Sequence, residues 1–293
     1  MQNLLIVGAG DVARRALPAL VARYRVFALL RDPAKFADWR ADGAVPVLAD
    51  LDRPQSLRRI AGLADVVLHC APPGDRSVVD TRTRHLLAAL ARGRHLPECI
   101  VYISTTGVYG DCAGAAIDET RPARATTLRA RRRVDAERQL RAFAARNGVT
   151  VSILRAPGIY ATERLPLDRL QSGMPVLADD EDVYTNHIHA DDLATIAVAA
   201  LQRGLPNRVY NACDDRATKM AAYYDIVADR FGLPRAPRIS RAQAATILSP
   251  LQLSFMSESR RIANHRIKQE LRVRLRHPRV EDGVEAAWQQ RNK

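Results

Sequence analysis

Leu4-Leu5-Ile6-Val7-Gly8-Ala9-Gly10-Asp11-Val12-Ala13 is the stretch that decides the fold. A short apolar run leads straight into G-x-G-x-x-A, and an amphipathic stretch follows from Asp11 to Arg23. Gly8 permits a tight turn, Gly10 lets backbone approach a pyrophosphate, and the small Ala13 lets a helix pack closely on the strand. The helix start at Asp11 and Val12 aims unpaired N–H groups at phosphate. A lone glycine motif is also compatible with a bare turn. Here it sits between a strand and a helix, and that context predicts NADP or NAD bound by the first fifty residues.

The alternation continues outward. Arg25 to Leu30, Ala44 to Leu48, Val66 to Cys70, Cys99 to Ser104 and Val149 to Leu154 read as strands. Gln55 to Ala61, Thr81 to Ala91 and Leu128 to Arg146 read as helices between them. Strands alternating with helices imply a parallel sheet covered on both faces, a doubly wound α/β Rossmann fold. After Arg155 the regularity fails at Ala156-Pro157-Gly158, Pro166 and Pro175. A helix near Asp191 and a strand from Arg208 to Ala212 follow, and from Asp214 the chain reads as helical, with one helix over Ser259 to Leu271. The expected division is a dinucleotide-binding domain of residues 1–157 with 187–212, and a smaller, mostly helical substrate lobe of residues 158–186 with 213–293.

Composition narrows the function classes. No run reaches the ~18 apolar residues of a membrane span, so no membrane partner is expected. The N-terminal apolar stretch lacks a basic region before it and reads as a first strand, which makes cytoplasm the expected compartment. Cys70, Cys99, Cys112 and Cys213 are scattered without a CxxC pair, so neither a disulfide framework nor a zinc site is indicated. The formal net charge of +13 invites a nucleic-acid reading. Only four of the 45 basic residues are lysine, however, and an arginine skew beside abundant alanine is what a GC-rich genome produces. The densest run, from Arg129 to Arg141, has helical spacing with acids interleaved and is expected to be a solvated helix face. Nucleic acid is therefore not an expected partner, whereas a phosphorylated small molecule suits the positive field.

The residue ending the second strand selects the adenosine ribose. Arg31 stands there, with Asp32 beside it. An arginine faces the 2′-phosphate of NADP, with Arg14 and Arg15 near enough to help, while Asp32 keeps NAD open. NADP is the favoured cofactor. Asp50, closing the third strand, is placed to accept from the adenine amino group or else to cap the helical stretch after Pro54. Leu51 beside it and Cys70 ending the fourth strand belong to the same expected cofactor-binding edge.

These residues resemble the extended branch of the short-chain dehydrogenase/reductase superfamily, the NAD-dependent epimerase/dehydratase group. The likeness covers nearly the whole chain and rests on IVGAGDVARR, HCAPP, ISTTGVYGD from Ile103, LRAPGIYA from Leu154 and TNHIHADDLA from Thr185. It implies a dinucleotide across the carboxyl ends of the strands and a substrate between sheet and C-terminal lobe. It places Thr105 where the family has its catalytic serine or threonine, with Ser104 and Thr106 one register step away. Ala71 and Pro72 would line the nicotinamide-side ribose, and Pro157, Gly158 and Ile159 would wall the nicotinamide ring. The cluster His187, His189, Asp191 and Asp192 would edge the substrate cleft, or equally would be a helix N-terminus with acids favouring its dipole. No third ligand accompanies the two histidines, so no metal is expected.

One departure bears on chemistry. The resemblance calls for Tyr-x-x-x-Lys one helical turn apart, with a glutamate four residues on. Counting back from Glu137 puts Arg133 at the lysine position and Arg129 at the tyrosine position. Arginine stays protonated, so Arg129 is no proton donor. Two readings follow. One is an NAD(P)-dependent oxidoreductase or epimerase-like protein acting on a sugar nucleotide or small carbonyl compound, anionic to suit the arginines, with a non-standard donor such as Tyr109, Tyr160 or His69. The other is a catalytically silent NADP(H)-binding or redox-sensing protein. A homodimer stays open.

Overall fold

Period-two burial along the strands sets the architecture. The computed structural model describes residues 1–75 and 77–292, so Lys293, the last residue of the expected lobe, lies outside it. In β1 (Asn3–Val7), Leu4 and Ile6 enter one apolar core while Leu5 and Val7 enter another. A strand buried on both faces needs helices above and below it. β2 (Arg25–Leu30), β3 (Val45–Leu48), β4 (Val66–His69), β5 (Cys99–Thr105), β6 (Thr150–Ala156) and β7 (Arg208–Asn211) complete a seven-stranded sheet. Its order is β7-β6-β5-β4-β1-β2-β3, and every pairing is parallel. The order reverses between β1 and β4, which opens a crevice at the carboxyl ends of those strands.

The helices α1 (Asp11–Val21), α2 (Phe36–Ala41), α3 (Thr81–Leu90) and α4 (Leu128–Asn147) fall within the first six strands. After β6 come α5 (Leu167–Gln171) and α6 (Ala190–Arg203). α1 and α6 bury Leu17, Leu20, Leu193 and Ile196 against one face. α3 and α4 bury Leu86, Leu90, Leu140 and Phe143 against the other. α4 also carries a charge into the interior. Glu137 is buried, accepts from the Ser104 hydroxyl at 2.7 Å, and is gripped by the Arg155 guanidinium at 3.1 and 2.7 Å. The pair ties one turn of α4 to β5 and β6, and the Arg155 guanidinium lies over the Tyr109 ring at 4.7 Å.

The C-terminal part comprises α7 (Met220–Phe231), α8 (Arg241–Ile247), α9 (Pro250–Phe255), α10 (His265–Gln269) and α11 (Val280–Arg291). α5, α7 and α11 share an apolar cluster containing Leu170, Val227 and Val284. Ile267, Leu271 and Val273 instead join the core beneath α1 and α6. The expected helix over Ser259 to Leu271 is not continuous. Arg261–Ile262 pairs in parallel with Ala116–Ile117, and Asn264 donates to the Cys213 and Asp214 carbonyls, so only His265–Gln269 is helical. Long-range pairing overrides the apolar spacing there. Two-residue strands at Thr218–Lys219 and Arg238–Ile239 likewise break the expected all-helical run. Gln55 to Ala61 forms a 3-10 turn (Pro54–Ile60). Among the described residues no helix is long and apolar enough to cross a membrane.

Removing Glu137 leaves Arg155 buried and unpaired, which is far costlier than replacing both partners by apolar groups. Glu137→Ala is expected to lose about 3–5 kcal/mol of unfolding free energy in urea titration. Glu137→Leu with Arg155→Met is expected to recover most of that loss; a loss no smaller in the double variant would show that the pair itself is not the source.

Candidate functional site

The turn after β1 is built by a glycine in a conformation other residues avoid. Gly8 has φ +90, and a Cβ there would sit 2.3 Å from the Ala71 amide nitrogen. Ala71 and Cys70 in turn donate to the Val7 carbonyl, so the β1 and β4 ends are in backbone contact. A Cβ on Gly10 would meet nothing within 4 Å, and no side chain caps the α1 N-terminus. The first-turn N–H groups are thus left facing open space, the arrangement a pyrophosphate needs.

Two cavities flank this turn and share Gly8, Gly10, Cys70 and Pro72. The cavity beside the β2 end, about 320 Å³, is lined by Arg31, Asp50 and Leu51, by Ala71, expected on the nicotinamide side, and also by Asp32, Lys35 and Arg82. Asp32 spends a carboxylate oxygen on the Ala34 amide at 3.0 Å, capping a 3-10 turn. Arg31 makes no hydrogen bond or ion pair among the described residues, and with Arg53, Arg58 and Arg59 it lines an adjoining trough. Arg14 and Arg15, expected to help there, are committed elsewhere. Arg14 pairs with Asp42 at 2.6 Å, and Arg15 pairs with Asp11, Asp191 and Glu163. Asp50 does not cap the turn after Pro54; it accepts from Asp52 N at 2.9 Å in a loop of its own.

The second cavity, about 350 Å³, brings together Val12, Thr105, Arg129, Arg133, Pro157 and Ile159. Thr105 ends β5 and accepts from the Gly107 amide at 3.2 Å. Its neighbours are spoken for: Ser104 donates to Glu137, and Thr106 is buried. Arg133 donates to the Ile103 carbonyl at 2.7 Å and the Tyr102 hydroxyl at 2.9 Å, which holds its charge at the cleft floor. Arg129 stands at the mouth with its guanidinium 4.2 Å from the centre of the Phe255 ring. Burial, with the charges of Arg260 and Arg133, holds it below the usual arginine range. Arg132, which the sequence reading passed over, also lines the cleft and donates to the Asp75 and Ser77 carbonyls. The run from Arg129 is therefore not simply a solvated face: its i, i+3, i+4 positions turn three guanidinium groups to the cleft, a signal that helical spacing contained.

Some expected residues stand apart. Asp11 pairs with Arg15 and Arg164 and lines neither cavity. Gly158 lies in Gly158–Tyr160, which pairs in parallel with His187–His189, and a Cβ there would touch the His187 ring at 3.4 Å. Nor do the alternative proton donors reach the cleft. Tyr109 is buried, donates to Asn211 at 2.7 Å, and burial pushes its hydroxyl up to about 12. Burial raises Tyr160 well above its ordinary value. Burial lowers His69 to about 3, and its ring nitrogen meets the Thr83 hydroxyl at 2.9 Å. His189 caps α6 by accepting from Asp191 N, and Asp192 accepts from the Arg276 and His277 amides. Of that cluster, His189 caps the helix, Asp192 holds the 276–277 backbone, and Asp191 pairs with Arg15. Among the described lining residues Cys70 is the remaining titratable group apart from the arginines, and burial pushes its thiol up to about 12.

Comparison with known proteins accords with this geometry. The NAD(P)H-binding family profile matches residues 8–204. A conserved protein of unknown function from Silicibacter pomeroyi DSS is 32% identical, with 99% of each chain covered and a TM-score of 0.80. UDP-glucose 4-epimerase from Thermotoga maritima, solved with UDP-glucose, is 16% identical over 99% of this chain and 100% of that one, TM-score 0.77. A double mutant of DesIV, the dTDP-glucose 4,6-dehydratase of Streptomyces venezuelae solved with NAD and DAU bound, is 19% identical over 100% and 98%, TM-score 0.78. The last two likenesses are of fold. No curated protein sequence matches the chain.

Gly8→Ala is expected to force β1 and β4 apart, since L side chains avoid that φ and the new Cβ meets backbone. NAD(P)H affinity, read by fluorescence titration, should fall by about tenfold or more, with a lowered melting temperature. Unchanged affinity would remove the turn from the cofactor site.

Proposed function

Because the chain belongs to the NAD(P)H-binding family and carries the epimerase/dehydratase fold, we propose that it is an NADP(H)-dependent oxidoreductase or epimerase-like enzyme for a small anionic carbonyl or sugar-nucleotide substrate. The observation that carries the reading is three guanidinium groups and the Thr105 hydroxyl around one cleft, continuous with the glycine turn. The nicotinamide, when bound, supplies or accepts a hydride. Thr105 hydrogen-bonds the reacting substrate oxygen, and Arg129 stabilises the negative charge that develops on it. Arg133, fixed by Ile103 and Tyr102, supplies at the cleft floor the positive charge that the family draws from lysine. Pro157 and Ile159 exclude water from the far wall. From the expected substrate lobe, Phe255 stands over Arg129 on the substrate side. The proton on the substrate oxygen comes from solvent, since arginine does not release one. The UDP-glucose and dTDP-glucose of the fold relatives' names carry diphosphates, which suit such a cleft.

One observation favours a second reading, a cofactor-binding protein without turnover. Among the described lining residues of the cleft there is no tyrosine, histidine, lysine or carboxylate. NADP over NAD is supported by Arg31 and Lys35 beside an Asp32 that is turned to capping.

Two measurements separate these readings. Calorimetry should give tighter binding of NADPH than NADH, and Arg31→Asp should reverse the order; equal affinities would remove the NADP assignment. NADPH oxidation over a panel of carboxylate- and phosphate-bearing carbonyl compounds should show turnover that Arg129→Ala reduces by about tenfold or more. Cofactor binding without turnover, in wild type but not in Arg129→Tyr with Arg133→Lys, would establish the silent reading.

A further inference from the structure

Large apolar side chains are exposed on the segments that carry or touch the arginine row. Leu128 is 57% exposed, Leu251 61%, Phe255 49%, Val78 51% and Val79 40%. Each is tied to the arginine row. Leu128 precedes Arg129 on α4, and Phe255 on α9 lies against the Arg129 guanidinium. Leu251 lies one turn before Phe255, on the same side of α9. Val78 and Val79 follow Ser77, whose carbonyl accepts from Arg132. α9 does not need these side chains for its own anchoring. It is held by Leu253 and Met256, which pack with Leu177, Ala244 and Leu248, and by a capping box at Ser249 and Gln252.

The charge beneath this apolar rim is uncompensated within the cleft. Arg129, Arg132 and Arg133 line it, and no carboxylate does among the described residues. Glu258, whose charge acts on Arg129, is committed to Arg260 at 2.7 Å. A ligand complementary to both parts has an anionic head and an apolar body. A sugar leaves the apolar rim without a partner.

Resting on the reading that this cleft holds the substrate, the geometry points to an amphiphilic carbonyl compound. Its carboxylate or phosphate meets Arg129 and Arg133, and its aromatic or alkyl body lies against Phe255 and Leu251. Phe255 is then the residue that selects the substrate. Its ring offers a flat apolar surface, while the guanidinium on its other side fixes its orientation and reaches the anion.

The test uses two probes that share a head group and differ in body, pyruvate and phenylpyruvate. Each is titrated calorimetrically into the full chain, with and without saturating NADPH. Phenylpyruvate is expected to bind at least about tenfold more tightly than pyruvate, as burial of a phenyl group predicts. Phe255→Ser should bring the ratio close to one, and Leu251→Ser, one turn earlier on α9, should lower it. Arg133→Ala should weaken both probes alike. Equal binding of the two probes, binding of neither, or a ratio unmoved by Phe255→Ser and Leu251→Ser would overturn the inference. So would a dimer that Phe255→Ser dissociates, because the rim would then belong to a second copy of the chain. Failure of NADPH to bind, with the probe ratio intact, would count against the proposed function and leave the amphiphilic cleft standing.

Discussion

The ion pair between Glu137 and Arg155 is the constraint from which the site is built. Two opposite charges buried among apolar side chains tolerate little displacement, since any gap leaves each without solvent or partner. Glu137 lies one turn after Arg133 on α4, Ser104 lies one residue before Thr105 on β5, and Arg155 lies two residues before Pro157 after β6. One bidentate contact and one hydroxyl therefore fix the relative positions of a helix, a strand end and a loop. Each of these presents its next residues to the same cleft.

Much of this was legible in the chain. The apolar run into G-x-G-x-x-A placed β1, the turn and α1, because steric demands on glycine and phosphate access leave few alternatives. The spacing from Glu137 placed Arg133 in the cleft, because helical periodicity is local and rigid. What sequence could not give was long-range. Arg15 looked available for phosphate until the ends of α6 and the 162–164 turn brought Asp191 and Glu163 to it. Tyr109, Tyr160 and His69 looked like proton donors because their burial depends on packing that no local pattern encodes. The segment over Ser259 to Leu271 carried helical apolar spacing, yet a two-residue pairing with Ala116–Ile117 and the Asn264 amide claimed its first half.

Placing two arginines one turn apart beside a cofactor groove raises a question of repulsion. Like charges at i, i+4 on an exposed helix disfavour it by a few tenths of a kcal/mol. Here each cation has its own partners. The Ile103 carbonyl and the Tyr102 hydroxyl, with the face of its ring, take up Arg133, and the face of Phe255 and the field of Glu258 take up Arg129. The helix therefore tolerates the pair without an intervening anion, and the cleft keeps its positive field in the unliganded protein.

Under the proposed function, that field changes what a hydride-transfer site must do. A tyrosine–lysine pair couples charge stabilisation to proton delivery, because the same phenol does both. Two arginines separate the tasks. Their charge is independent of pH across the working range, so they can stabilise an oxyanion in every turnover, but they deliver no proton. Under the proposed function, the protonation step then depends on water entering from the mouth of the cleft. Phe255 and Leu251 on α9 are apolar, and a bound apolar body against them would restrict such entry. On that proposal, substrate choice and solvent access are governed by the same residues, with Phe255 nearest the charge that both must satisfy.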